Sequence, residues 1–94
     1  MKVEFKMTKK EIEMEYPGEV NDGNFVDASV NVAIEKIAEQ LTGWQYYDVD
    51  NIERINNNYT RYDMSLHNEK WEVVGTAEVE VYEGTVEVTA EIEK

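Results

Sequence analysis

Apolar and polar residues alternate at the start of the chain, and the alternation predicts β-strands. In residues 2–7 and again in residues 11–16, an apolar side chain at every second position alternates with a lysine or a glutamate. A period of two residues is typical of strands with one buried face. With a turn within residues 7–10, Phe5 faces Ile12 and lysines meet glutamates on the other side. We therefore expect a first β-hairpin.

The spacing of apolar residues changes to three and four after the polar segment 21–24, which is typical of an α-helix. Asp22 or Asn24 is suited to cap its first turn, and Gly43 to close its end in the left-handed conformation. The sequence thus predicts one amphipathic helix over residues 25–42. Its apolar stripe consists of Val26, Val30, Ala33, Ile34, Ile37 and Leu41.

Residues 44–58 show no single period. We predict a short strand over residues 45–49 and one helical turn over residues 51–55, with Asp50 as the N-cap of that turn. The three consecutive asparagines at positions 56–58 predict a loop.

The last third of the chain predicts a meander of strands with one apolar face. A two-residue turn at positions 83–84 pairs Val81 with Val86, and every inward residue then meets another inward residue. Gly75 is expected to mark a bulge. The predicted inward residues are Tyr62, Met64, Leu66, Trp71, Val73, Ala77, Val79, Val81, Val86, Val88, Ala90 and Ile92.

These elements predict a single α+β domain spanning residues 1–94. Its antiparallel sheet has five or six strands, and one amphipathic helix packs on the apolar face of that sheet. A chain of 94 residues has room for one core.

The charge balance indicates the chemistry of a partner. The chain has 21 Asp and Glu against 9 Lys and Arg, which gives a net charge of -12. Nucleic acids and anionic membranes would be repelled, so we expect neither as a direct ligand and predict a basic protein partner. The lack of cysteine excludes disulfides and thiolate chemistry. Without an apolar segment of signal or membrane-span length, the expected location is the cytoplasm.

The predicted register collects glutamates on the outward face of the last hairpin, where residues 71–93 contain no basic side chain. Carboxylates at alternate positions stand about 6.7 Å apart, close to the spacing of every second phosphate of one nucleic-acid strand. One hypothesis is an inhibitor that mimics a polyanion and blocks a basic nucleic-acid-binding protein. The predicted partner-binding residues are Glu72, Glu78, Glu80, Tyr82, Glu87, Glu91 and Glu93.

Three alternatives stand beside this hypothesis. The acidic face can serve solubility alone, or the chain can be a structural module that self-associates as a homodimer through sheet edges or exposed tyrosines. A minor hypothesis is an enzyme or small-ligand binder, which would require an internal pocket lined by polar groups. Small acidic inhibitors that phages and mobile elements carry against host defence share the general build. That analogy is one of class and rests on no shared motif.

The aromatic residues divide by their parity along the predicted strands. Trp71 has inward parity and is expected in the core, whereas Tyr59 and Tyr82 have outward parity and are interface candidates. Tyr46 and Tyr47 are adjacent, so they cannot both point inward from a strand.

No catalytic or metal-binding motif is evident. The single histidine, His67, falls at a predicted turn, where we interpret it as a surface residue. Residues 48–51 superficially resemble a calcium loop but lack its glycine and its twelfth-position glutamate. We therefore predict no enzymatic activity, no catalytic residue, no cofactor and no metal.

Overall fold

The computed structural model describes residues 1–15, 25–56, 59–82 and 84–93. In chain order the elements are β1 (Lys2–Thr8), α1 (Lys9–Glu15), α2 (Phe25–Gln40), β2 (Tyr46–Asn56), β3 (Tyr59–His67), β4 (Val73–Tyr82) and β5 (Thr85–Ile92). The strands form one antiparallel sheet in the order β1-β5-β4-β3-β2, which confirms the α+β class and the antiparallel sheet, with five strands. The described part has two helices where the sequence predicted one.

The predicted first hairpin is wrong, because α1 occupies the place of its second strand. Thr8 Oγ1 accepts a hydrogen bond from the backbone N–H of Glu11 at 3.1 Å. This spacing of threonine and glutamate is the capping-box pattern that begins a helix. Ile12 is buried as expected, but Met14 is 72% exposed, since a helix does not place residues two apart on the same face. The last residue of the predicted strand, at position 16, lies outside the described part.

The strand partner of β1 is β5, at the other end of the chain. Phe5 pairs with Val88 instead of Ile12, and Lys6 pairs with Glu87 instead of Glu11. The predicted match of apolar with apolar and of lysine with glutamate therefore holds, but with a distant segment. Such a pairing depends on the whole fold and not on a local turn.

Helix α2 agrees with its prediction and ends two residues earlier. The buried apolar side chains of α2 are Val30, Val32, Ala33 and Ile37, with Ile34 half-buried, and Leu41 directly after the helix is also buried. Gly43 has a φ of 100°, as expected for a residue that closes a helix. The side chain of Val26 and the predicted caps Asp22 and Asn24 lie outside the described part.

The helical turn predicted over residues 51–55 is wrong, because these residues continue β2. Asp50 is therefore no N-cap. Register shifts between Val49 and Asn51 and between Arg54 and Asn56 interrupt the pairing with β3. Such bulges break the alternation of side chains, which explains the absence of a two-residue period in the sequence. Every residue of β2 is exposed, and β2 is an edge of the sheet.

The hairpin of β4 and β5 has the predicted register, including Val81 with Val86 and Glu80 with Glu87. The pairing of β3 with β4 shifts by one residue after Leu66–Gly75, which confirms the irregularity expected at Gly75. Val73 then pairs with His67 and is 61% exposed, and Trp71 precedes the strand. The inward positions predicted for these two residues are wrong, because a one-residue shift moves side chains to the other face.

One hydrophobic cluster joins the helices to one face of the sheet. Helix α2 lies against β4 and β5, and α1 lies against β1 and α2. Ile12 from α1 and Ile37 from α2 are fully buried in this cluster. In the described part, the helices thus cover one face of the sheet, and neither helix lies on the other face.

Candidate partner-binding face

The outer face of the sheet consists of the strand residues that alternate with the core positions. Carboxylates outnumber cations on it, and aromatic residues lie at both ends. We use the name outer face for Lys2, Glu4, Lys6 and Thr8 of β1; Thr85, Glu87, Thr89 and Glu91 of β5; Val73, Thr76, Glu78, Glu80 and Tyr82 of β4; Tyr59, Arg61, Asp63, Ser65 and His67 of β3; and Tyr46, Asp48, Asn51, Glu53 and Asn56 of β2.

The centre of the outer face is a network around Arg61, whose strand pairs with β4. Its Nη2 lies 3.2 Å from Glu78 Oε2, and its Nε donates to Asp63 Oδ1 at 3.4 Å. Beside it, the Tyr59 hydroxyl donates to Glu80 Oε2 at 3.0 Å. The two central glutamates are therefore held by β3 and do not form the free row that the sequence predicted.

Hydrogen bonds with Glu80 raise the pKa of two groups in this network, Glu78 and Tyr59. A hydrogen bond with the Glu80 carboxyl, followed by partial burial, raises the pKa of Glu78, although the Arg61 guanidinium lowers it. The hydrogen bond to Glu80 also raises the pKa of Tyr59. The hydrogen bond and the partial burial thus favour the protonated form of Glu78.

We expect the raised pKa of Glu78 to make folding stability depend on pH. Above its ordinary pKa of 4.5 and below its folded value, the folded chain holds more of this proton than the unfolded chain. The free energy of unfolding therefore falls as pH rises through that window. Glu78→Gln cannot titrate, so urea denaturation of this variant at a series of pH values should give a flatter curve than the wild type.

The matched control for this prediction is Glu91→Gln, which removes an exposed carboxylate from β5 of the same face. Its pH curve should stay nearer to the wild type than that of Glu78→Gln. Parallel curves of unfolding free energy against pH for the wild type and both variants would contradict the raised pKa of Glu78.

The structure brings five of the seven predicted partner-binding residues onto the outer face and leaves two off it. Glu72 lies in the turn before β4, where its carboxylate accepts a hydrogen bond from Asn68 Nδ2 at 3.2 Å. Glu93 follows β5, and its backbone N–H donates to the Val74 carbonyl at 2.7 Å. The residues on the face are Glu78, Glu80, Tyr82, Glu87 and Glu91.

Aromatic pairs lie at the two ends of the outer face. At one end, Tyr59 and Tyr82 contact edge to face with ring centroids 5.2 Å apart, which agrees with their predicted outward parity. At the other end, Tyr46 and Trp71 stack with centroids 4.5 Å apart and planes within 4°. Trp71, which was predicted in the core, thus lies exposed beside the outer face and contacts it through Tyr46.

A polar cluster centred on His67 was missed by the sequence reasoning. His67 is 8% exposed at the end of β3, so its interpretation as a surface turn residue is wrong. Its Nε2 lies 3.0 Å from Ser65 Oγ and 3.6 Å from Asp48 Oδ2, and Ser65 Oγ also lies 3.3 Å from Asp50 Oδ1. Its Nδ1 lies 3.2 Å from the Trp71 carbonyl.

The chemistry of this cluster fixes the imidazole. A carbonyl oxygen can only accept, so His67 Nδ1 donates a proton to the Trp71 carbonyl. The Ser65 hydroxyl has one proton, so it donates to either Asp50 Oδ1 or His67 Nε2 and not to both at once. The cluster thereby ties the aspartates of β2 to the end of β3. Its sequence signal was the spacing of Ser65 and His67 at alternate strand positions, but their partners on β2 required the register between strands.

Comparisons with known proteins add no functional information. No protein-family model matches the chain, and searches of curated proteins and of solved structures give no match. Within residues 1–15, 25–56, 59–82 and 84–93, no group of three or more histidine, aspartate or glutamate residues is arranged to hold a metal ion. No helix in these ranges has the length and apolar character to cross a membrane.

Proposed function

We propose that the chain is a non-enzymatic binding protein of the cytoplasm whose outer face blocks a basic protein that handles nucleic acid. The observation that supports this most is an exposed sheet face on which carboxylates outnumber cations. A sheet presents charged side chains on a backbone that is already ordered, which reduces the conformational entropy lost on binding.

The spacing of the carboxylates suits a target that normally binds a phosphate backbone. Glutamates stand about 6.7 Å apart along a strand, and neighbouring strands lie about 4.8 Å apart. The net charge of -12 adds long-range attraction for a basic surface. The regular spacing of the carboxylates and the large net charge both favour mimicry of a polyanion over a binding site for one small cation.

The ion pairs within the outer face do not oppose such binding strongly. Lys6 Nζ lies 3.3 Å from Glu87 Oε1, and both side chains are more than half exposed. Exposed pairs of this kind contribute about 0–1 kcal/mol each. An arginine or lysine of a partner can therefore replace Lys6 as the counter-charge of Glu87 at small cost.

The proposed role in a cell is inhibition. Occupation of a basic groove by this face would exclude nucleic acid from the same groove. We propose that a phage or mobile element produces this inhibitor to block a nucleic-acid-binding protein of the host's defence system. The cytoplasm in which it acts is then that of the host cell.

Displacement of DNA tests the proposal directly. A fluorescent DNA duplex is bound to a peptide rich in lysine and arginine, and the chain is added at increasing concentration. We expect loss of DNA anisotropy that is strong at low salt and weakens steeply as salt rises, since both ligands compete through charge. Absence of displacement even at low salt would overturn the proposed function.

Self-association is the second candidate function, and the exposure of β2 favours it. On the helix side of this edge strand, Tyr47, Val49 and Ile52 are left partly exposed beside buried residues of β3. An unpaired edge with apolar side chains can pair with a second copy. A stable homodimer in sedimentation, together with no displacement of DNA, would favour this candidate over the inhibitor.

A further inference from the structure

Tyr46 and Trp71 form an exposed aromatic platform at the His67 end of the outer face. Their rings are nearly parallel, and they are 40% and 55% exposed. Aromatic rings in the core of a domain contribute to its stability by burial, whereas this pair leaves much of its surface in water. An exposed aromatic pair is typical of a surface that a partner covers.

The backbone of Trp71 has an unfavourable conformation that its turn maintains. Its φ of 62° is rare for a residue with a side chain. Asn68 holds the turn, because its side-chain oxygen accepts from the N–H groups of Lys70 at 2.9 Å and Glu72 at 3.0 Å. Its carbonyl also accepts from the N–H of Trp71 at 3.0 Å. A glycine would fit this position more easily, yet the chain carries a tryptophan there.

A carboxylate lies beside the platform. Asp48 follows Tyr46 by two residues on β2, so the two side chains project on the same face about 6–7 Å apart. The Asp48 side chain is 60% exposed, and its Oδ2 lies 3.6 Å from His67 Nε2. The His67 ring in turn lies 5.4 Å from the Trp71 ring. One arginine side chain of a partner can therefore contact the aromatic platform and the Asp48 carboxylate at the same time.

We propose that Tyr46, Trp71 and Asp48 form an anchor that selects arginine over lysine in the basic partner, an inference that rests on the proposed function. A guanidinium group is planar, so it stacks on an aromatic ring and directs its N–H groups at a neighbouring carboxylate. A lysine ammonium lacks this plane and keeps more of its hydration. The glutamates attract both arginine and lysine, whereas the aromatic platform binds arginine more tightly than lysine.

Two peptides of equal charge test the anchor. Labelled peptides of ten arginines and of ten lysines are titrated with the wild-type chain in about 0.2 M salt, which reduces the common electrostatic attraction. One cation–aromatic contact should make the arginine peptide bind about two- to five-fold more tightly. Trp71→Gly and Tyr46→Ala should each abolish this preference.

The choice of variants keeps the test independent of folding. Glycine tolerates the positive φ at position 71, so Trp71→Gly should keep the turn while it removes the ring. Tyr47→Ala is the matched control, because Tyr47 lies on the same strand but on the helix side of the sheet, and it should retain the arginine preference.

Each contrary result has its own meaning. Equal affinity of the wild type for both peptides overturns the anchor while DNA displacement by the outer face still stands. A preference that persists in Trp71→Gly also overturns it. If neither peptide binds, the proposed function fails together with the anchor.

Discussion

Gly75→Ala should destabilise the fold more than any other single change proposed here, by about 3 kcal/mol, the upper end of the usual cost of overpacking. Gly75 pairs with Ile92, where β4 and β5 approach closely. A Cβ atom at this position would overlap the backbone oxygen of Glu91 and lie 2.9 Å from Ile92 Cδ1. The overlapping atom belongs to a paired strand, so relief requires movement of the backbone.

Thermal and urea denaturation measure this effect. Gly75→Ala should lower the melting temperature by roughly 12–24 °C. A chain of this size has about 5–14 kcal/mol of net stability, so the variant should still fold at about 25 °C. Gly84→Ala is the matched control. Nothing lies near its added Cβ, and only its φ of 79° opposes the change, at about 1–2 kcal/mol. Equal losses in the two variants would contradict the close approach of the strands.

Reversal of four charges on the outer face should weaken displacement of DNA from the basic peptide about 100-fold. The variant replaces Glu78, Glu80, Glu87 and Glu91 with lysine. Each site loses an attraction of about 0.5–1 kcal/mol, so the four sites together lose about 2–4 kcal/mol, which corresponds to roughly 30- to 1,000-fold in affinity. The same displacement assay measures the loss.

The control for this variant reverses four exposed glutamates of the helices, Glu11, Glu13, Glu35 and Glu39. Both variants change the net charge by the same amount, but only the first changes the outer face. We expect the helix variant to lose less than about tenfold in affinity, through long-range charge alone. Equal losses would show that net charge and not this face governs binding.

Folding of the face variant requires its own check. A lysine at position 80 cannot accept the Tyr59 hydroxyl, and a lysine at position 78 faces Arg61. Loss of these contacts should cost about 1–2 kcal/mol. Replacement of the same four glutamates by glutamine avoids the new repulsion and should still weaken displacement, which separates a binding defect from an unfolded chain.

Local patterns predicted the elements whose partners are close in sequence. The pairing of Val81 with Val86 follows from a two-residue turn, and α2 follows from apolar spacing and the terminal Gly43. In these segments, every local preference agrees with the final structure. Agreement of this kind is what makes a pattern reliable.

Residues 9–15 show how two local patterns can compete. Alternation favoured a strand, whereas Thr8 and Glu11 carried the capping-box pattern of a helix. The helix forms because β1 finds its partner in β5, so no second strand is required beside it. That decision involves residues at opposite ends of the chain, which a local period cannot represent.

The amino-acid sequence by itself determined the acidic charge, the last hairpin, the helix α2 and the core-facing side of β1, β3, β5 and the regular part of β4. Only the tertiary structure decided that β1 pairs with β5, that Arg61 and Tyr59 hold the central glutamates, and that Trp71 leaves the core to stack on Tyr46. The physical reason is that charge and periodicity are local properties, whereas these contacts depend on strand register and on bulges that move a side chain from one face to the other.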